Sequence, residues 1–182
     1  MAVPIASVIS SAIERVQGKV IPAALVYTSH EKWPLPSTQT LPRTSLHISV
    51  LDSSFNPPTL AHLALANAAN AFSPPSDYDA KLLLLSIRNA DKTVQEGDGT
   101  LSQRVNMMYL LATRIHHDSL SSPPNVAIGL LDEPTFITKS STLRRFLGDR
   151  LTGLTSSASH ATSIQLTFSM GPSQNMHQIF LT

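Results

Sequence analysis

The sequence lacks features that several common classes of protein require. It contains no cysteine, which excludes a disulfide framework and a thiolate metal site. Its 13 basic and 12 acidic residues balance to a net charge of +1, whereas a nucleic-acid groove or a membrane-binding patch needs clustered positive charge. No apolar run approaches the roughly 18 residues of a membrane span, and the N-terminus lacks a signal-peptide pattern. We expect a soluble protein of the cytoplasm or nucleus that binds neither nucleic acid nor a membrane.

The 182 residues suffice for one domain with its own core. Apolar residues at helical spacing over residues 5–16 predict a leading helix. A short extended piece is predicted at 24–27, and prolines between 33 and 44 indicate a connector. We therefore predict an N-terminal helix and connector at 1–45, followed by the main domain at 46–182.

Strands alternate with helices from residue 46 onwards, which is typical of parallel βαβ units. This order predicts an α/β fold with a Rossmann-like open parallel sheet flanked by helices, incomplete at the C-terminus. Thr100 and Gln103 have the spacing of a capping box at a helix start. The predicted strands are 46–51, 81–86, 126–130 and 164–170, and the predicted helices are 60–72, 101–116, 141–147 and 174–181.

The segment 52–59, Asp-Ser-Ser-Phe-Asn-Pro-Pro-Thr, follows the first of these strands. Open α/β sheets bind ligands beyond the carboxyl ends of their strands, and the start of the next helix offers N–H groups to an anion. Thr59 and His62 are three positions apart, so both side chains lie on one face of the first turn. A hydroxyl and an imidazole beside a phosphate pocket suit transfer of a phosphoryl-type group. The alternative is that His62 is an ordinary polar residue and the string only starts a helix.

The string from Ser54 to His62 resembles the signature of a nucleotidyltransferase superfamily, G-[ST]-F-[DN]-P-x-[HT]-x-x-H. Its threonine form is similar to that of the nicotinamide mononucleotide adenylyltransferase family, and the wording of residues 51–59 resembles the fungal branch of that family. Ser53 stands where the family has its glycine. Thr59 and His62 match the two positions with which the family holds the triphosphate of ATP. The similarity continues at residues 82–92, 102–105 and 132–136.

The resemblance implies that residues 46–182 are a nucleotidyltransferase domain, and it implies both a reaction and a site. The reaction is adenylyl transfer from ATP, with Mg²⁺, to nicotinamide or nicotinic acid mononucleotide, forming NAD and pyrophosphate. No metal site made of protein ligands alone is expected, although Asp52 is a candidate for contacting the Mg²⁺ or for capping the next helix. The implied catalytic residues are His62 and Thr59, and the implied ATP- and substrate-binding residues are Ser53, Ser54, Phe55, Asn56, Lys92 and Gly171.

The sequence departs from the family pattern after the fourth predicted strand. The closing string of the family, I-S-S-T-x-x-R, does not occur, and Ser173 stands where relatives often have an acid. We therefore expect a C-terminally truncated family member that is a poor catalyst. Two alternatives stay open: a catalytically impaired nucleotide-binding or interaction protein, and a nucleotidyltransferase with another acceptor, such as phosphopantetheine or a cytidylyl acceptor.

Overall fold

A computed structural model describes residues 6–36, 45–68, 78–88, 96–117, 125–155, 163–170 and 180–181. The strands are β1 (Ala23–Thr28), β2 (Ser45–Asp52), β3 (Ala80–Ser86), β4 (Val126–Leu131), β5 (Ser163–Met170) and β6 (Phe180–Leu181). The helices are α1 (Ala6–Gln17), α2 (Leu60–Ala68), α3 (Leu101–His117) and α4 (Phe136–Leu154). All six strands belong to one sheet with the order β1-β4-β3-β2-β5-β6.

The central strands β4, β3, β2 and β5 run parallel to one another. Strand β1 pairs antiparallel with β4 at one edge, and β6 pairs antiparallel with β5 at the other. The predicted α/β fold with an open parallel sheet is therefore confirmed. Strand β1 precedes residue 46 and still joins the sheet, so residues on both sides of the predicted domain boundary contribute strands. The boundary itself stays a prediction.

The sheet is covered on both faces, and its side chains alternate between two apolar clusters. Leu83 and Leu85 of β3 pack in the cluster that contains α1, α2 and α3 residues. Leu82 and Leu84 pack in the other cluster, which α4 covers through Leu143, Leu147 and Leu151. A strand buried on both faces explains the unbroken leucine run. The same alternation holds on β2, where Val50 and Leu51 belong to different clusters.

The start of α3 confirms the predicted capping box. The Thr100 backbone N–H donates to Gln103 Oε1 at 2.8 Å, and the Gln103 N–H donates to Thr100 Oγ1 at 3.2 Å. These two bonds satisfy donors that the helix itself leaves without acceptors. The predicted end of α2 at residue 72 lies outside the described residues.

The predicted short helix at 141–147 is wrong in its length, because α4 spans 19 residues. Thr135 caps it, since its side chain accepts the Thr138 N–H. The stretch 136–142 contains two threonines, two serines and one isoleucine, all of which have modest helix propensity. Packing of the leucines of α4 on the sheet outweighs that propensity.

The helix predicted over 174–181 is contradicted at its end. Phe180 and Leu181 form β6 and pair with Thr167 and Leu166 of β5. The edge of β5 offers backbone donors and acceptors, and pairing with them favours an extended chain. Residues 174–179 lie outside the described residues.

Candidate functional site

The loop at residues 53–59 leaves the carboxyl end of β2, which lies between β3 and β5. The chain departs from β2 through α2 towards β3, and it returns to the other side of β2 through α4 and β5. The order of the strands therefore reverses beside β2. Such a reversal is where open α/β sheets bind ligands, beyond the carboxyl ends of the strands.

His62 ties this loop to the first turn of α2. Its Nδ1 accepts the backbone N–H of Thr59 at 2.9 Å, and Thr59 Oγ1 lies 2.8 Å from the same nitrogen. Its Nε2 lies 2.9 Å from Ser53 Oγ. Because a backbone donor occupies Nδ1, the neutral ring carries its proton on Nε2 and donates it to Ser53. His62 thus supplies one half of a capping box, in which an imidazole instead of a carboxylate or amide accepts the N–H of the residue before the helix. The other half is absent, because the His62 N–H donates to the Thr59 carbonyl.

The imidazole of His62 is buried, with 7% of the residue exposed. Burial lowers its pKa from the usual value of 6.5, so the ring is neutral at physiological pH. Thr59 and Leu60 beside it are exposed. The N–H groups of Leu60 and Ala61 open the helix and have no intrahelical acceptor. An anion at this point would meet backbone donors, the positive end of the helix and a neutral imidazole donor.

Phe55 gives the loop its shape. Its backbone φ is 46°, in the left-handed region that residues other than glycine seldom adopt. The ring is fully buried and stacks obliquely on His62, with ring centroids 5.1 Å apart. Burying an aromatic ring offsets the backbone strain, which is of order 1 kcal/mol or more. In this conformation the Phe55 side chain supports His62 and leaves only the backbone of residue 55 for contact with a ligand.

Asn56 connects the loop to the start of α3. Its Oδ1 accepts the Gly99 N–H at 2.9 Å, and its Nδ2 donates to Asp98. Arg104 completes the group, since its Nε donates to the Gly99 carbonyl at 2.7 Å and its Nη2 lies 3.6 Å from Asp98 Oδ2. Both ends of the Asn56 amide are therefore occupied. Sequence reasoning missed Asp98 and Gly99, which carry no recognisable motif.

Asp52 forms an ion pair with Lys139 of α4, with 2.8 Å between Oδ2 and Nζ. The Ser86 hydroxyl donates to the other carboxylate oxygen at 3.2 Å. The side chains of Asp52 and Lys139 are only 10% and 9% exposed. The carboxylate thus holds α4 instead of capping α2. Lys139 is not among the predicted site residues, because it precedes the helix predicted at 141–147.

A second ion pair lies at the carboxyl ends of β3 and β4. Arg88 Nε lies 2.6 Å from Asp132 Oδ1, and the Arg88 side chain is 55% exposed whereas that of Asp132 is 7% exposed. The hydrogen bond to Asp132 raises the pKa of Arg88.

Phe136 packs edge-on against Phe168, with ring centroids 5.0 Å apart, and belongs to the α4 side of the core.

Six of the eight predicted site residues lie among the residues that the structure describes, and they lie close together. Lys92 and Gly171 lie outside the described residues, so their placement stays a prediction. Ser54 is half-buried within the loop. In the described part of the chain, no group of three or more His, Asp or Glu side chains could hold a metal ion. None of the described helices is long and apolar enough to cross a membrane. The predicted residues that share one loop and one helix start are Ser53, Ser54, Phe55, Asn56, Thr59 and His62.

Fold and site together define an α/β protein with a Rossmann-like parallel sheet and a candidate anion site at the topological switch point. Over 103 residues the chain is 38% identical to a protein of Schizosaccharomyces pombe named "Putative nicotinamide mononucleotide adenylyltransferase". The match covers 57% of this chain and 36% of that protein. No protein-family model matches the chain, and no solved structure matches it.

The name of this relative agrees with the family that the sequence resembles. The chain spans about a third of the length of this relative, because the aligned segment is 36% of it. The activity and substrates of the whole relative are therefore proposals for this chain.

Proposed function

We propose that this chain carries the nucleotide site of an adenylyltransferase that joins AMP from ATP to nicotinamide or nicotinic acid mononucleotide, releasing pyrophosphate and contributing to NAD synthesis. The observation that carries the proposal is the position of the hydrogen-bonded pair Thr59 and His62 at the switch point of the sheet. The similarity to the S. pombe protein supports the choice of reaction.

The site would hold the triphosphate of ATP with neutral donors. The N–H groups of Leu60 and Ala61 lie in the first turn of α2 and would donate to the phosphate. The Nε2–H of His62, which now donates to Ser53, would transfer its hydrogen bond to a phosphate oxygen. The Ser53 and Thr59 hydroxyls would add donors of their own. Because all of these groups belong to one loop and one helix turn, they can converge on one phosphate group.

The chemistry needs no protein nucleophile. A 5′-phosphate oxygen of the mononucleotide attacks the α-phosphorus of ATP, a new P–O bond forms, and the bond to the β-phosphate oxygen breaks to release pyrophosphate. The attacking phosphate is already an anion, so no proton has to be removed. The residues of the site would position the triphosphate and stabilise the charge that develops in the transition state. Asp52 is paired with Lys139, so Mg²⁺ would arrive with ATP and keep mainly phosphate oxygens and water as ligands.

A second candidate is a protein that binds a nucleotide without turning it over. Both ring nitrogens of His62 are already satisfied within the loop, so the imidazole has a structural role that needs no reaction. A third candidate keeps the transfer but uses another acceptor. The second and third candidates are told apart by adding a panel of acceptors and following the release of pyrophosphate from ATP.

The test is formation of the dinucleotide from ATP, Mg²⁺ and each mononucleotide, followed by chromatography. We expect product from the wild-type chain and a loss of about a hundredfold or more in His62→Ala, since removing one well-placed donor costs ~10²–10³ in rate. His47→Ala is the matched control, because His47 lies near the opposite end of β2. Saturable binding of ATP without any product would favour the second candidate. Product that is undiminished in His62→Ala would contradict the proposed site.

A further inference from the structure

The end of β2 is attached to a helix on each face of the sheet through two consecutive residues. Asp52 contacts Lys139 of α4, and Ser53 contacts His62 of α2. Successive side chains of a strand point to opposite faces, and Asp52 follows the alternation of Val50 towards the α4 side. Consecutive Cα atoms are about 3.8 Å apart. A charged group therefore lies directly beside the loop at 53–59.

The carboxylate of Asp52 presents an electrostatic problem for a phosphate in this loop. A negative charge that is almost buried is weakly screened by solvent, and it would repel the anionic ligand. Lys139 lies 2.8 Å from it and is itself buried, so the two charges cancel locally. A buried ion pair is often replaceable by apolar residues without loss of stability. Stability alone therefore does not account for a lysine at residue 139.

We propose that Lys139 is a positioning residue of the nucleotide site, which neutralises Asp52 and holds it towards α4 so that the loop at 53–59 can accept a polyphosphate. The proposal rests on the proposed function, since it assigns Lys139 to the binding of the triphosphate. Lys139 acts through Asp52 and does not itself touch the phosphate.

The test compares the dissociation constant of Mg²⁺–ATP for four chains by calorimetric titration: wild type, Lys139→Met, Asp52→Asn and the double variant. A unit charge roughly 10 Å from a phosphate, at an effective dielectric constant of about 20, changes the affinity by about tenfold. We expect Lys139→Met to bind about tenfold more weakly and Asp52→Asn to bind several-fold more tightly than wild type. The double variant should return to within about threefold of wild type, because it lacks both charges.

Lys32→Met is the matched control, since it removes one positive charge from an exposed loop outside the site. Thermal unfolding of each variant separates stability from affinity. A purely structural lysine would change the melting temperature of Lys139→Met and of the double variant while leaving the dissociation constants of the folded chains alike, and this result would overturn the proposal. Where Lys139→Met does not fold, Asp52→Asn decides, because binding no tighter than that of wild type contradicts charge repulsion. Absence of saturable binding by the wild type would instead contradict the proposed function.

Discussion

The Nδ1 atom of His62 accepts the backbone N–H of Thr59 at 2.9 Å. This one bond gives the histidine a structural role, since it satisfies a donor at the start of α2. It also fixes the proton of the neutral ring on Nε2, towards Ser53. The same contact therefore caps the helix and presents a hydrogen-bond donor at the candidate anion site.

Replacing His62 should separate these two roles. His62→Ala removes the acceptor of the Thr59 N–H, and we expect the free energy of unfolding to fall by about 1–2 kcal/mol. His62→Gln retains a capping-box acceptor, so we expect a smaller loss of stability while ATP binding still weakens. Urea unfolding and calorimetric titration of both variants measure the two effects. Equal stability losses for alanine and glutamine would contradict the capping role.

The stability of the protein should depend on pH through His62. Burial lowers its pKa below 6.5 in the folded state, so between the folded and unfolded pKa values the unfolded chain binds more protons. The free energy of unfolding then rises with pH. The contribution is complete above pH 6.5 and is lost as the pH falls through the folded pKa. Urea unfolding from pH 8 to pH 5 should show a decline that is smaller in His62→Gln, and identical profiles would contradict the assignment.

Two glycines should respond oppositely to alanine. A Cβ at Gly99 would lie 3.2 Å from Asn56 Oδ1, which Asp98 holds in place, so we expect a loss of about 1 kcal/mol through overpacking. A Cβ at Gly148 in α4 would meet nothing within 4 Å, and alanine there should add about 0.5–1 kcal/mol. Thermal unfolding of the two variants gives the comparison. Stabilisation by Gly99→Ala would show that the Asn56 contact is loose.

Asn56→Ala should disturb the loop and the start of α3 together. The change leaves the Gly99 N–H and the Asp98 carboxylate without their partner on the loop. Asp98 keeps its contact with Arg104. The main cost is the half-buried Gly99 N–H, which loses its acceptor at about 1–3 kcal/mol. We expect amide hydrogen exchange to accelerate at residues 96–104 as well as in the loop at 53–59. Acceleration confined to the loop would mean that Asn56 does not couple the two segments.

The sequence predicted what depends on local pattern. The leucine run of β3 and the alternation of strands and helices indicated the parallel sheet, and the spacing of Thr100 and Gln103 indicated the start of α3. Contacts between distant residues were not predictable. Lys139 and Asp52 are 87 positions apart and share no motif. The left-handed backbone of Phe55 was likewise not predictable, since the position has no glycine to indicate it.

The most direct measurement of the central claim follows the backbone amides by NMR while Mg²⁺–ATP is added. If the triphosphate binds at the start of α2, the N–H resonances of Leu60 and Ala61 and the imidazole resonances of His62 should shift saturably. Residues near the amino ends of the strands, such as His47 and Asn125, should not shift. We predict that result, with the shifts reduced in His62→Gln. Saturable shifts centred away from residues 53–62, or none there at saturation, would contradict the assignment of the nucleotide site.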